Sequence, residues 1–130
     1  MPHRLKIGEY YTPEALDEIF DFDYKGRAGI KKAASGDIVL FSNDKSRYID
    51  ICEGGIFDYE GQNTGPGDQK LIYGNKDLYD IYTNGNDKTI FLFVNYKYVG
   101  TVLINSEPYQ KNGSWRFPLA RVDGETCAQI

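Results

Sequence analysis

The chain has 130 residues, 41% of them hydrophobic and 15% aromatic, which fits one domain with a real core and excludes an unstructured chain. Its formal net charge of −4 means that an anionic partner has to be met by a local basic patch. No run approaches the roughly 20 apolar residues of a membrane span, and the first residues lack the apolar core of a secretory signal. Cys52 and Cys127 make no disulfide framework, so a reduced, intracellular setting is the expectation.

Residues 1–11 read as a lead-in or first strand. Thr12-Pro13-Glu14 then announces a helix over 12–20: Thr12 can cap free N–H groups, Pro13 suits the first turn, and Glu14 and Asp17 favour the positive end. Leu16, Ile19 and Phe20 make its apolar stripe. Residues 24–35 hold Lys25, Arg27, Lys31 and Lys32 with no acid, and Gly26 and Gly29 mark a loop. That loop is either a solvated connection or a phosphate-contacting element, for which flexible cations beside glycine N–H groups are suited.

Residues 37–42 (DIVLFS) form a continuous apolar run, the pattern of a strand covered on both faces. After a turn at 43–46, residues 47–52 alternate, with Tyr48, Asp50 and Cys52 on one face and Ile49 and Ile51 on the other. With the isoleucines in the core, Tyr48 and Asp50 face a cavity or solvent. A ring beside a carboxylate can stack on a base and accept from its exocyclic amine; an ordinary exposed strand face has the same pattern.

Residues 59–78 (YEGQNTGPGDQKLIYGNKDL) form the most punctuated stretch. Glycine and proline at this density mark a backbone that bends sharply or lies close to a ligand, or a long surface connection. Tyr59 opens it, as a second stacking ring or as a core tyrosine. Asp68 and Gln69 either hold the loop or contact a ligand. Asn75–Tyr82 reads as a short helix capped by Asn75, with Leu78, Ile81 and Tyr82 inward. Residues 84–87 are a turn, 89–95 and 97–104 a tight strand pair, 105–114 a polar loop and 115–122 a last strand, with Trp115, Phe117 and Leu119 on one face. Residues 124–130 read as a tail.

Tyr59-x-Gly61, a few turn residues, then Asp68-Gln69-Lys70-Leu71 with Asn75 and Leu78 resembles the central motif of the SRA (or YDG) domain. Tyr48-Ile49-Asp50 resembles the family's Tyr-x-Asp, and Trp115-Arg116-Phe117-Pro118-Leu119-Ala120-Arg121 is similar to a strand near the end of such domains. The order of the three, across residues 10–123, is more specific than any one. The resemblance is closest to the SRA-like domains of McrA-type modification-dependent restriction endonucleases. One departure stands: eukaryotic members carry the acid three residues after the tyrosine, whereas Asp50 stands two after Tyr48.

The resemblance implies an α+β, mostly β, SRA/PUA-like twisted β-barrel with two short helices, a single domain over 1–130 with its core at about 5–123. It implies a DNA-binding module that turns a 5-methyl- or 5-hydroxymethylcytosine out of the duplex into a pocket of Tyr48, Asp50, Tyr59 and Gly61. Gln62, Asp68, Gln69, Lys70 and Asn75 are its candidate loop and backbone contacts, and Lys25, Arg27, Lys31 and Lys32 its phosphate contacts. The expected partners are modified double-stranded DNA and a nuclease or motor domain or subunit, in a prokaryotic cytoplasm, with no membrane, metal or other cofactor.

Enzymatic readings are weak. His3 is the single histidine, which removes Ser-His-Asp and Cys-His catalysis and an HNH nuclease site; the cysteines lack zinc spacing; no Glu-x-Lys triplet supports a metal nuclease. The rivals are a related barrel reading RNA or an unflipped duplex, and an interaction or inhibitor domain that keeps the fold without the pocket.

Overall fold

The computed structural model describes residues 5–22, 29–42, 57–61 and 65–122. Helix α1 (Pro13–Phe20) is followed by strands β1 (Ile30–Lys32), β2 (Ile38–Ser42) and β3 (Phe57–Glu60), helix α2 (Tyr73–Thr83), and strands β4 (Ile90–Val94), β5 (Lys97–Ile104), β6 (Tyr109–Lys111) and β7 (Ser114–Arg121). The strands make one curled mixed sheet, a half-barrel, in the order β1-β2-β4-β5-β7-β3, with β6 also on β7. Among the described residues the fold is thus α+β and mostly β, with two helices, as expected.

At the centre β2 and β4 run parallel, Ile38 opposite Ile90 through Ser42 opposite Val94. Their continuous apolar sequences follow from burial on both faces. Ile38, Leu40, Ile90, Leu92 and Val94 join a first core with Val99, Val102, Ile104, Phe117 and Leu119, into which α2 sends Leu78 and Ile81. The alternate residues Val39 and Phe93 join a second core with Leu16 and Phe20 of α1, Phe22 and Tyr98, and Phe41 and Phe91 pack against it. Two apolar helix stripes on opposite faces are what a two-faced sheet needs for closure.

Helix α1 starts as its sequence dictates: the Ala15 N–H donates to Thr12 Oγ1 at 3.1 Å, Pro13 lies in the first turn, and Asp21 ends the helix in the left-handed region. Helix α2 does not. It begins at Tyr73, its N-cap is Ile72 with no side-chain bond, and Asn75 lies inside the first turn. The loop 105–114 is also corrected: Tyr109–Lys111 is a strand, paired with β7 through an Asn112-Gly113 turn with both residues at positive φ, 52° and 81°. That is the two-residue hairpin geometry that Asn-Gly favours. Lys31 and Lys32 likewise belong to a strand and not to a loop, opposite Val39 and Ile38.

Candidate nucleic-acid interface

Strand β3 runs antiparallel to β7, Tyr59 opposite Phe117, and the pairing continues one step past the strand: the Gly61 N–H donates to the Trp115 carbonyl at 2.7 Å. Further along, the Gln69 N–H donates to the Gly113 carbonyl at 2.8 Å. The Gln69 side chain, 5% exposed, is a two-sided clamp. Its Nε2 donates to the Gly61 carbonyl at 2.9 Å, and its Oε1 accepts from the Trp115 N–H at 2.9 Å. Both ends of the 61–69 loop are therefore fastened to β7 through one amide. Buried amides are stabilising only when both ends are met, which is the case here.

Asn75 completes this arrangement. It is fully buried, and its Nδ2 donates to the Lys70 carbonyl at 3.0 Å, holding the segment between the clamp and α2. Gly61 is a close-approach glycine: a Cβ there would meet Asn75 Oδ1 at 2.5 Å and Gln69 Oε1 at 2.9 Å. Gly113 faces Asp68, whose Oδ1 lies 2.8 Å from where its Cβ would be. Asp68 and Lys70 are themselves exposed. Of the candidate loop contacts, then, Gln69 and Asn75 are built into the fold, and Asp68 and Lys70 face outward. Trp115 and Gly113 supply the other half of the clamp; the Asn112-Gly113 pair, a hairpin signal inside what reads as a polar loop, could have found them.

Tyr59 is enclosed. Its ring belongs to the first core at 5% exposure, and its hydroxyl is shared between the carbonyls of Phe41 (3.0 Å) and Gly29 (3.2 Å). Burial raises its phenol well above the ordinary tyrosine value, and the Glu60 carboxylate adds to the rise. This is the geometry of the core-tyrosine alternative: the ring fixes β3 against the entry to β1 and the end of β2. Gly29 directly follows residues 23–28 in sequence, and Ser42 directly precedes 43–56. Lys25, Arg27, Tyr48, Asp50 and Gln62 lie outside the described residues, as do His3, Cys52 and Cys127.

The two described lysines of the basic run take opposite faces of β1. Lys31 places its Nζ 5.2 Å from the centroid of the Phe22 ring and 5.8 Å from that of Phe41. Lys32 reaches Asp77 of α2 at 3.6 Å. The outer side of β3, β6 and β7 is carboxylate-bearing: Tyr109 donates to Asp58 Oδ2 at 2.6 Å, and Ser114 to Glu60 Oε2 at 2.9 Å. The bond to Asp58 raises the Tyr109 phenol above its usual value. Among the described residues there is no group of His, Cys, Asp or Glu able to hold a metal ion, and no helix long and apolar enough to cross a membrane.

Three comparisons bear on this arrangement. No curated protein matches the chain. The SUVH5 SRA domain in complex with fully methylated CG DNA is similar in structure, with a TM-score of 0.68 at 20% identity, covering 98% of this chain and 95% of that one. The sulfur-binding and SRA domains of ScoMcrA, complexed with phosphorothioated DNA, give 0.65 at 23% identity, over 96% of this chain and 43% of that one. The Type IV phosphorothioation-dependent restriction endonuclease ScoMcrA gives 0.64 at 22% identity, over 97% of this chain and 27% of that one. At such identities these likenesses establish the fold. The family model described as "ScoMcrA-like, SRA domain" matches residues 13–117, a span that opens with α1, contains the Gly61–Gln69–Asn75 clamp and ends in β7; the chain belongs to the ScoMcrA-like SRA domain family.

Proposed function

We propose that this chain is a non-catalytic reader of modified DNA. The observation that carries the reading is the family match over 13–117, which includes the hydrogen-bonded loop clamp. The DNA complexes of SUVH5 and ScoMcrA support it by analogy of fold. In this reading a 5-methyl- or 5-hydroxymethylcytosine leaves the duplex, at a cost of a few kcal/mol. Tyr48 stacks on it, a contact of about 1–3 kcal/mol, and Asp50 accepts from its exocyclic amine. Tyr59 acts as the pillar behind the pocket, because its hydroxyl joins Gly29 and Phe41 at the roots of the segments bearing Lys25, Arg27, Tyr48 and Asp50. Gly61, Gln62, Asp68, Gln69, Lys70 and Asn75 shape or line the loop that approaches the nucleotide, and Lys25, Arg27 and Lys31 meet phosphates. Lys32 contributes less, since it already faces Asp77.

The whole chain acts as one such module, in the cytoplasm, and delivers a nuclease or motor carried on another domain or subunit; the ScoMcrA restriction endonuclease is the analogy for that step. The test is fluorescence-polarisation binding to matched duplexes bearing cytosine, 5-methylcytosine, 5-hydroxymethylcytosine or a phosphorothioate, at two salt concentrations. Preference for one modified cytosine, lost in Tyr48→Ala, supports the reading. Preference for the phosphorothioate duplex moves recognition from base to backbone. Equal, steeply salt-dependent binding to all four reduces the chain to a general DNA contact. No binding at low salt refutes the DNA reading and leaves an RNA or protein partner.

A further inference from the structure

The turn between β4 and β5 has two residues, Asn95 and Tyr96, both at positive φ (52° and 65°). Such a turn favours glycine at its second position, and a bulky side chain in the left-handed region is disfavoured. Here that position holds a tyrosine, and the residue remains 42% exposed. The turn is fixed on both sides: the Asn95 N–H donates to the Ser42 carbonyl at 2.7 Å, and the Tyr11 N–H to the Tyr96 carbonyl at 2.9 Å. The Tyr96 ring tilts against Phe41, with centroids 5.5 Å apart, and Phe41 in turn lies under the Lys31 ammonium. Phe22, Lys31, Phe41 and Tyr96 therefore form a continuous row along the rim of the second core. Among the described residues Lys31 makes no ion pair; its cation is held by rings on two sides.

We infer that Lys31, Phe41 and Tyr96 form a contact for the sugar–phosphate backbone of DNA, on the strand flanking the nucleotide that the module recognises; this rests on the DNA reading above. A sugar–phosphate offers an apolar face beside an anion, which complements an exposed ring beside a cation that has no acidic partner among the described residues. Tyrosine hydroxyls and lysine ammonium groups are both ordinary phosphate contacts. Phe41 and Gly29 share the Tyr59 hydroxyl; in sequence Gly29 directly follows the segment carrying Lys25 and Arg27, and Phe41 is separated by Ser42 alone from the one carrying Tyr48 and Asp50. Tyr96 thus keeps an unfavourable backbone conformation for the sake of a contact outside the fold, the relation expected where strain accompanies function.

The test measures binding of the preferred modified duplex across a salt series, with a thermal melt of each variant. Tyr96→Gly supplies the residue that the turn prefers, and Tyr96→Asn supplies one that tolerates it, so both melt at or above the wild-type temperature. Both are expected to weaken binding roughly three- to tenfold, as for loss of one polar contact. Lys31→Gln is expected to make the slope of log affinity against log salt shallower by about 0.9, one phosphate contact. Wild-type affinity in both Tyr96 variants together with an unchanged slope for Lys31→Gln overturns the inference and leaves the DNA reading standing. A wild-type chain that binds no duplex at low salt overturns both.

Discussion

Gly61→Ala is a one-methyl substitution at the point where the loop clamp has no room. The new Cβ lies 2.5 Å from Asn75 Oδ1, 2.9 Å from Gln69 Oε1 and 3.1 Å from Asn75 Cγ. None of these is the loose end of a surface side chain. Asn75 is fully buried and Gln69 is 5% exposed, and each is tied to main chain: Gln69 to Gly61 and Trp115, Asn75 to Lys70. Relief requires at least one amide to turn away, which leaves a buried carbonyl or N–H unmet at about 1–3 kcal/mol each. Steric overpacking adds about 1–3 kcal/mol. The expected loss is about 3–5 kcal/mol, a large fraction of the 5–15 kcal/mol typical of a domain.

Urea unfolding followed by tryptophan fluorescence is a direct assay, because Trp115 is the chain's one tryptophan and supplies the N–H that Gln69 accepts. The midpoint should fall with little change in slope. The double variant Gly61→Ala/Asn75→Ala separates the causes, since removing the Asn75 amide takes away the nearest contacts, at 2.5 and 3.1 Å, and makes room for the methyl. Its cost should be smaller than the sum of the two single costs by about 1 kcal/mol or more. A Gly61→Ala protein within about 1 kcal/mol of wild type, or strict additivity in the double variant, would refute the close-approach argument.

Thr12→Ala removes the acceptor for the Ala15 N–H and should cost about 1 kcal/mol, read as a drop of a few degrees in Tm. Gly113→Ala meets two penalties, a left-handed φ of 81° and a Cβ 2.8 Å from Asp68 Oδ1. It should therefore cost about 1–2 kcal/mol, part of which returns when Asp68, an exposed residue, is also made alanine. Stability should also fall at alkaline pH. The Tyr59 phenol is raised in the folded chain, so its contribution is complete below the unfolded value of about 10 and is lost as pH rises beyond it toward the folded value. The slope is at most about 1.4 kcal/mol per pH unit for this one group. Tyr59→Phe should remove that component, as measured by unfolding at several alkaline pH values, whereas exposed Tyr109 contributes little.

What was legible in the sequence is what local chemistry decides alone. Thr12-Pro13 starts a helix wherever it lies, and the alternation hidden in Ile38–Phe41 makes sense once both faces are covered, as the two cores show. The failures have a shared cause. Asn75 looked like a cap because asparagine commonly is one, yet its amide is engaged by a loop carbonyl whose position depends on the route from Gly61. Lys31 and Lys32 read as loop because lysine and glycine are poor strand formers; pairing with Val39 and Ile38 overrides that preference. The 105–114 segment looked polar and therefore irregular, although Asn112-Gly113 between alternating residues was a hairpin signal. Tyr59 shows the limit most sharply. Its place in the motif suggested a ligand, and only the tertiary arrangement of Gly29 and Phe41 tells that its hydroxyl serves the fold.

The negative charge, the main objection to a DNA partner, is distributed unevenly among the described carboxylates. Asp37 accepts from Ser35 and from the Thr89 N–H, joining the start of β2 to that of β4. Asp58 accepts from Tyr109 and Glu60 from Ser114, which ties β3 to the β6–β7 hairpin. Asp77 and Asp80 face Lys32 and Lys76, so that side of α2 is internally balanced. Glu14, Asp17, Glu18 and Asp21 line one concavity along α1. These nine of the nineteen acids are thus engaged in holding strands together, paired at α2, or gathered on one helix. Lys31 is different in kind: it lies between aromatic rings with no acid to neutralise it among the described residues. At physiological ionic strength charges separated by more than about 8 Å are largely screened, so what a phosphate meets is decided by its immediate neighbours and not by the sum over the chain.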